Sequence, residues 1–572
     1  MGTVSSMKRD QFVNLVSGRY CDSGSSKGYL SSTLSRLSVE GKQGKPEYPS
    51  LLDLCIYKTC EDIERYSTFD ILPRDVSQLI FNELVCSQRL TDASIDAFRD
   101  CALQDFDLCE YPGMNDRWMD VISSQGTSLL SVDLSGSDVT DAGLSCLKEC
   151  RNLEDLNCNY CYNISNRGLK HLRGLSNLVS LSFRKNYQIN VQGMSFFSGL
   201  LNLIELDLER CQWIDGGLVH LNGLTKLESL NLKCCNCITD VDMKPLSGLT
   251  NLKELQISFC RVSDIGITFL QGLHKLVLLN MEGCYVTAGC LESLSALPSL
   301  SYLNLSRCGI FDNGCEKFAE MRKLIALNLG FNNVTNACLV NLKELTNLES
   351  LNLDSCAISD GGLINLAGLY NLRYLDLSDT EVGSIGLKHI AGLTNLESIN
   401  LSFTNVTDTG LVNLSGLSSL KSLNLDSRLI TDAGLPALTS LTGLTHLDLF
   451  GAHITNSGTK HLLKFKQLRS LELCSGRISD AGVKNIKELS SLAVLNLSQN
   501  HCLSNRSLKM ISGLTELVCL NVSNSRITNK GLRHLKMLKN LKSLTMESCQ
   551  VSPFEMRNLQ STHLPNLVII RP

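Results

Sequence analysis

Hydrophobic residues recur at a fixed interval along most of this chain. The pattern Leu-x-x-Leu-x-Leu, with conservative replacements, begins at Leu129 and returns every 24 or 25 residues. Its later copies start at residues 153, 178, 203, 227, 252, 276, 300, 324, 348, 372, 396, 420, 444, 468, 492, 517 and 541. A chain of 572 residues suggests about three or four globular domains on length alone, but this periodicity indicates a stack of similar units instead.

Each unit divides into a strand half and a helix half. The copy that starts at Leu348 reads LESLNLDSCAISDGGLINLAGL. Its first leucines alternate with polar residues, which predicts a strand with one buried face, and its later apolar residues are spaced by three, which predicts a helical stripe. Ser359 and Asp360 offer side-chain oxygens to the free amides that open the helix. One such unit has too little core to offset its chain entropy, so the units must stack.

This repeat resembles those of the leucine-rich-repeat family. The resemblance implies an α/β horseshoe solenoid with a concave parallel sheet and convex helices. We predict that residues 101–572 form this solenoid, with about 18 clear repeats, a degenerate opening repeat at 103–108 and a closing strand at 567–570. At about 4.8 Å between strands, the sheet would extend roughly 80 Å along its arc.

Composition favours an intracellular protein that does not bind nucleic acid. The net charge is -4 and the pI about 6.2, which gives no electrostatic reason to expect a polyanion as partner. No apolar run is long enough for a membrane-spanning helix, and residues 1–48 lack the apolar core of a secretory signal. We therefore predict a disordered arm over residues 1–48 and a cytoplasmic or nuclear location.

The 25 cysteines raise the question of disulfides or metal. Many of them fall three residues after the last strand leucine, where other repeats have Asn, Thr or Ser. These residue types share a small side chain that can turn inward and bond to neighbouring backbone, so we predict free thiols, no metal site and a reducing compartment. The cysteines at this position are Cys161, Cys211, Cys235, Cys260, Cys284, Cys308, Cys356 and Cys549.

No catalytic motif emerges from the sequence. The chain has no phosphate-binding Gly-x-x-x-x-Gly-Lys-Ser/Thr loop, no His-Glu-x-x-His and no Gly-x-Ser-x-Gly. We therefore expect a binding protein with no catalytic residues and no cofactor.

Aromatic residues recur on the predicted concave face at intervals of three repeats. This face is free to bind because its side chains are not used by the core. The candidate partner-binding residues are Phe259, Phe331 and Phe403, then Tyr302, Tyr374 and His446, and finally Phe450. They line a groove for a protein ligand, or they remain from duplication of a three-repeat block without a function of their own.

The segment before the repeats carries a second motif. Its sequence LPRDVSQLIFNEL begins at Leu72 and resembles the opening of an F-box, which binds a Skp-type adaptor of a cullin ubiquitin ligase. The matching residues are Leu72, Pro73, Ile80, Phe81 and Leu84. Ser77 replaces an apolar residue of the motif, and its second half is not recognisable in residues 85–108. Residues 49–100 are thus a degenerate adaptor-binding box or a helical cap on the first repeat.

The first residues fit a lipidation pattern. Met-Gly-Thr-Val-Ser-Ser places Gly2 as a candidate N-myristoylation site, with Lys8 and Arg9 following it. One acyl chain holds a protein at a membrane only weakly, so a second signal, such as the basic pair or an acylated Cys21, would be needed.

Together these features predict an interaction protein rather than an enzyme. The repeats are similar to those of F-box/leucine-rich-repeat proteins, and that resemblance implies a substrate receptor for ubiquitin-dependent degradation, with a Skp-type adaptor and a cullin as partners. The alternative is a signalling scaffold held at a membrane through its N-terminus.

Overall fold

The computed structural model describes residues 49–572, together with Val39–Glu40 and Pro46–Glu47, two short strands that pair antiparallel. The chain divides into two compact units, Met1–Leu303 and Asn304–Pro572. These two strands lie within the arm that was predicted to be disordered, which corrects the prediction at those residues, and the rest of the arm, with Gly2 and Cys21, lies outside the described residues. No described helix combines the length and apolar character needed to cross a bilayer.

Each unit contains a parallel sheet whose strands pair in the order of the sequence. In the first unit the strands are Asp105–Asp107, Ser131–Asp133, Asp155–Asn157, Ser180–Ser182, Glu205–Asp207, Ser229–Asn231, Glu254–Gln256 and Leu278–Asn280. The boundary between the units falls inside the strand Tyr302–Asn304.

The second unit continues the same arrangement to the C-terminus. Its strands are Ala326–Asn328, Ser350–Asn352, Tyr374–Asp376, Ser398–Asn400, Ser422–Asn424, His446–Asp448, Ser470–Glu472, Val494–Asn496, Cys519–Asn521, Ser543–Thr545 and Ile569–Arg571. These parallel sheets, with a helical segment returning between successive strands, confirm the predicted leucine-rich-repeat fold.

Helical segments precede the first strand of the parallel sheet and connect the later ones. In the first unit, α-helices or 3-10 helices span Leu51–Glu61, Ile63–Arg65, Arg74–Cys86, Ile95–Phe98, Asp116–Ser124, Gly126–Ser128, Asp141–Cys146, Leu147–Glu149, Asn166–Leu169, Lys170–Gly174, Val191–Met194, Ser195–Gly199, Gly217–Leu221, Asp240–Met243, Lys244–Gly248, Asp264–Thr268 and Cys290–Ser295. In the second they span Cys315–Glu320, Asn336–Leu342, Asp360–Leu366, Leu387–Ile390, Leu411–Leu414, Leu435–Leu438, Gly458–Lys464, Asp480–Ile486, Asn505–Ile511, Asn529–Leu532, Leu535–Met537 and Pro553–His563.

The periodic leucines form the core, as the sequence predicts. In the repeat that starts at Leu348, the three strand leucines and the later Ile358 and Leu363 are all buried. The residues that alternate with the strand leucines point to the opposite side, which we call the open face. Packing of one repeat against the next supplies the apolar surface that a single repeat lacks.

The helix-opening Asp side chains join one repeat to the next. Asp408, for example, accepts bonds from the backbone N–H of Thr431 (2.8 Å) and from its hydroxyl (2.6 Å) in the following repeat. The Thr431 hydroxyl in turn accepts from the N–H of Ala433, in the turn before the helix Leu435–Leu438. A Cβ at Gly434 would lie 2.5 Å from the Asp408 carboxylate, which explains the recurring glycine.

The predicted capping by Ser359 and Asp360 is wrong: Ser359 makes no side-chain cap bond, and Asp360 accepts from the N–H of Gly383 in the next repeat at 2.6 Å. In other repeats a Ser or Thr does cap its helix, as Thr335 does by accepting from the N–H of Ala337 at 3.2 Å.

The cysteine column is bonded to backbone, as predicted. The Cys260 thiol donates to the carbonyl of Leu232 at 3.2 Å, and the Cys284 thiol to that of Ile257 at 3.0 Å. Asn332 fills the same position and donates to the carbonyl of Leu305 at 2.8 Å. The cysteines among the described residues are free. Small side chains at this position thus satisfy carbonyls that would otherwise be buried without partners.

The helix Arg74–Cys86 covers the edge of the first unit's sheet. The Gln78 side-chain amide donates to the carbonyl of Asp105 at 2.7 Å, and its oxygen accepts from the N–H groups of Gln104 (3.1 Å) and Asp105 (3.2 Å). Gln78 therefore bonds to the outer edge of the first strand, which would otherwise have open backbone groups. This part of the chain caps the repeats.

Candidate functional site

Five of the predicted aromatic residues belong to the second unit, on the open face of its sheet or in the turn that follows a strand. Tyr374 and His446 each precede a buried strand leucine, and Phe331 and Phe403 each follow the last strand leucine by two residues. Phe450 follows Leu449 directly. We call Phe331, Tyr374, Phe403, His446 and Phe450 the aromatic face. Their predicted role as partner-binding residues stays a prediction.

The phenylalanines of the aromatic face are substantially exposed. The exposed fraction is 43% for Phe331, 66% for Phe403 and 38% for Phe450. Large exposed apolar rings are unfavourable in water, and aromatic residues are the common anchors of protein interfaces.

Two of these phenylalanines lie at a backbone position with a left-handed conformation. Phe331 and Phe403 have φ values of +58° and +56°, and Gly451 has +74° at the equivalent position. The conformation arises because this N–H bonds to a carbonyl of the next repeat, as from Phe403 to Asp426 at 2.9 Å. A left-handed backbone favours glycine over a bulky residue by about 1 kcal/mol. Other repeats have the same conformation at Arg210, Ser355 and Asp379. The position therefore accepts many side chains, and the backbone does not select phenylalanine.

Carboxylates occupy neighbouring positions of the open face. Asp354 lies in the column of Phe450 and Asp379 in that of Phe331, while Asp376 lies between two strand leucines, two residues after Tyr374. Burial and then the charge of Asp376 raise the pKa of the Asp354 carboxyl. The Ser355 hydroxyl bonds to Asp379 at 3.1 Å. The open face thus presents aromatic rings beside closely spaced negative charges.

A ladder of alternating charges borders the aromatic face. Glu397 bonds to Arg373 (Nε to Oε1, 2.7 Å) and to Lys421 (2.6 Å), and Arg373 reaches Glu349 at 3.5 Å. The bond to Lys421 is the main cause that lowers the pKa of Glu397. The Arg373 guanidinium lies 5.7 Å from the centre of the Tyr374 ring. The arrangement resembles the polar rim around an apolar interface centre.

An arginine lies near both Phe331 and His446. The Arg307 guanidinium carbon lies 3.6 Å from the centre of the Phe331 ring, a cation–π contact. The His446 Nδ1 atom lies 2.8 Å from the Thr445 hydroxyl, and burial, followed by Arg469, lowers the pKa of the imidazole. His446 is therefore a neutral ring at pH 7.

The two remaining predicted residues belong to the first unit. Phe259 is 37% exposed, and its ring covers Gly283, where a Cβ would lie 2.6 Å from two ring carbons. Tyr302 is half-buried at the position equivalent to Tyr374. Phe259 therefore packs against its own chain, unlike the strongly exposed Phe403.

The predicted adaptor-binding stripe turns mostly inward, which corrects the expectation of an exposed stripe. Ile80, Phe81 and Leu84 are buried, and the Phe81 ring packs 5.4 Å from that of Phe98 and 4.7 Å from that of Phe106 in the first strand. The apolar side of the helix is used to cover the first strand. The other two residues are Leu72, which is half-buried, and Pro73, which is exposed and directly precedes the helix.

The sequence analysis missed a second aromatic cluster, in the first unit. Tyr162, Tyr187 and Trp213 are exposed, and the rings of Tyr162 and Tyr187 stack 5.9 Å apart. These three residues follow one another at intervals of one repeat, and that spacing is the sequence signal that could have predicted the cluster. The aromatic residues predicted to bind a partner recur instead at intervals of three repeats.

Within residues 49–572, no three His, Cys, Asp or Glu side chains are grouped to hold a metal ion.

Comparisons with known proteins identify the repeats. A family model described as leucine-rich repeat matches residues 225–286, 346–406 and 466–527, and a second model with the same description matches 127–148 and 296–319. The matches do not reach residues 49–126, the part that resembles an F-box. A search of curated proteins returned no match.

Solved structures support the fold. The mouse RP105/MD-1 complex contains a chain with 19% identity and a TM-score of 0.53, with 86% of this chain and 88% of that chain covered. The ectodomain of the Arabidopsis receptor kinase HAESA, solved with a peptide hormone, has 17% identity and a TM-score of 0.43, with 81% and 85% covered. At identities this low, similarity supports only the fold. Of these two structures, the RP105/MD-1 chain is the one whose TM-score supports it.

Proposed function

We propose that the second unit binds a protein partner through its aromatic face, without catalysing a reaction. The observation that carries the proposal is the set of exposed aromatic rings on neighbouring repeats of this unit, with Phe403 the most exposed phenylalanine of the set. Burial of exposed rings against a partner is favourable because it removes apolar surface from water.

The surroundings of the rings indicate the chemistry of the partner. Asp354, Asp376 and Asp379 place negative charge beside the rings, and the raised pKa of Asp354 reflects burial and its like-charged neighbour. A partner with apolar and basic side chains would relieve both the exposure and the repulsion. From Phe331 to Phe450 the face crosses five strand spacings, about 24 Å, which suits a protein surface better than a small molecule.

A triple variant tests the proposal. Phe331→Ser, Tyr374→Ser and Phe403→Ser together remove three exposed rings, so partner capture measured by quantitative pull-down should fall at least tenfold, a conservative figure for the loss of several anchors at about 2 kcal/mol each. Thermal stability should change little because the rings are exposed.

The matched control removes exposed apolar residues from the helical side of the same unit. Ile364, Ile385 and Val412 are exposed there, and their replacement by Ser should leave the captured proteins unchanged. Equal effects of the two triple variants, or no effect of the aromatic one, would refute the proposal.

The more specific proposal is a substrate receptor of a cullin-type ubiquitin ligase. In this reading the open face holds the substrate, and the cap binds a Skp-type adaptor. What supports it is the F-box resemblance together with exposed apolar side chains that the cap leaves on its outer side, among them Ile71 (85% exposed) and Leu79. A cytoplasmic location belongs to the same proposal and fits the free thiols of the cysteine column.

Binding to a purified Skp-type adaptor tests the second proposal. Ile71→Asp with Leu79→Asp should abolish adaptor binding without unfolding the cap, because neither side chain is buried. Binding that persists in this variant, or absence of binding by the unaltered chain, would contradict it. The competing proposal, a membrane-tethered scaffold, requires instead a myristoylated Gly2 in the mass spectrum of the mature protein.

A further inference from the structure

A cleft in the first unit lies between two exposed aromatic side chains. It has a volume of about 330 Å³, and Tyr187 and Trp213 both line it, with Gln192 and Asp215 also in its lining. No ring contact joins Tyr187 to Trp213, although the rings of Tyr187 and Tyr162 are almost parallel at 5°. Trp213 is 63% exposed, which is high for the largest apolar side chain.

The walls of the cleft are held by bonds within the chain. The Gln188 side chain donates to the carbonyl of Tyr162 at 2.8 Å. The Asn190 side-chain oxygen accepts from the N–H of Gln192 at 2.9 Å and from the Asn166 amide at 2.7 Å. Backbone pairing also joins Asn190 to Trp213. A cleft fixed in this way is organised before any ligand arrives, which lowers the entropic cost of binding.

Three polar groups of the lining are available to a ligand. In the described part of the chain, no hydrogen bond or ion pair engages the Asp215 carboxylate, the Gln192 side-chain amide or the Trp213 indole N–H. Asp215 and Gln192 are both exposed. The cleft therefore offers a negative charge and two polar groups next to aromatic faces.

We propose that this cleft binds an arginine side chain of a partner polypeptide. A guanidinium is planar and weakly hydrated, so it can stack on Tyr187 or Trp213 while its N–H groups bond to a carboxylate. Asp215 supplies that carboxylate, and the volume suits one side chain. Lysine fits less well because its ammonium is a compact, strongly hydrated charge with no flat surface to stack.

The two tryptophans make the cleft directly observable. Trp118 is buried and Trp213 is exposed, so the ¹⁵N-labelled full-length chain gives one indole signal at the cleft and one in the core. Trp213→Phe assigns the signals. The probe is the capped peptide Gly-Gly-Arg-Gly-Gly, with matched peptides that contain lysine or citrulline, the neutral analogue of arginine. Cellotetraose serves as a stacking ligand without charge.

The arginine peptide should shift the Trp213 signal saturably and leave the Trp118 signal in place. Asp215→Asn should weaken binding about three- to fivefold, as expected for an exposed ion pair, and Tyr187→Ala should abolish it. Equal binding of the citrulline or lysine peptide, no change with Asp215→Asn, no saturable shift with arginine, or a shift with cellotetraose alone would overturn the proposal. The aromatic face of the second unit is not involved, so failure here leaves the proposed function unaffected.

Discussion

At the scale of single residues, equivalent positions of the repeat show which properties the fold requires. The column after the strand accepts Cys, Asn, Thr or Ser because each can donate to a buried carbonyl, as Cys211 does to Phe183 at 3.2 Å. The column of φ-positive residues accepts almost any side chain on its exposed side, and Phe331 and Phe403 lie there. The side-chain hydrogen bond to backbone explains the residue types in the cysteine column. No such bond explains why Phe331 and Phe403 are phenylalanines.

The buried thiols should make stability depend on alkaline pH. Burial raises the pKa of Cys211 and of Cys284 from 9.0 to about 12. Above pH 9 the unfolded chain releases these protons and the folded chain keeps them, so the free energy of unfolding should fall as pH rises from 9 towards 12. The loss is about 1.4 kcal/mol per thiol and pH unit. Urea unfolding at pH 8 and pH 10 measures it.

The control is the double variant Cys211→Ser with Cys284→Ser. Ser137 and Ser525 occupy the same column in other repeats, so serine suits the fold and cannot ionise in this range. The variant should lose less stability at pH 10 than the unaltered chain. An identical loss in both proteins would show that these thiols do not retain their protons.

At the scale of elements, the helix-opening side chains link neighbouring repeats. Asp432 accepts from both the backbone N–H (2.8 Å) and the hydroxyl of Thr455. In the following repeat Asn456 makes the equivalent pair with Ser479, through its oxygen at 2.9 Å and its amide at 3.0 Å. Either residue type therefore completes the connection, because both place an acceptor at the N–H of the next helix cap.

Replacement of Asp432 should show whether its hydrogen bonds to the next repeat or its negative charge stabilises the protein. Asp432→Ala leaves the Thr455 N–H without its acceptor and should lower the free energy of unfolding by about 1–3 kcal/mol. Asp432→Asn should cost clearly less, since Asn456 already performs the same role. Chemical denaturation of both variants measures the difference. Equal destabilisation would mean that the charge of Asp432 matters rather than its bonds.

At the scale of the whole molecule, the sequence predicted most of what the repeat period controls. Alternation placed the strand leucines inside and residues such as Tyr374 on the open face, because a strand has only two sides. The period carried no information about the division into two units. That residues 101–572 form one solenoid stays a prediction. The helix Arg74–Cys86 was ambiguous, because an apolar stripe has the same spacing whether it faces an adaptor or, like Phe81, its own first strand.

Site-specific photo-cross-linking tests the central claim, that the aromatic face binds a protein. A photoreactive phenylalanine at position 403 replaces one exposed ring by another, and the same residue at position 412 samples the helical side, where Val412 is also exposed. We predict a cross-linked partner from position 403 that disappears when Phe331 and Tyr374 are changed to Ser, and none from position 412. Cross-links of equal yield from both positions, or from position 412 alone, would contradict the claim.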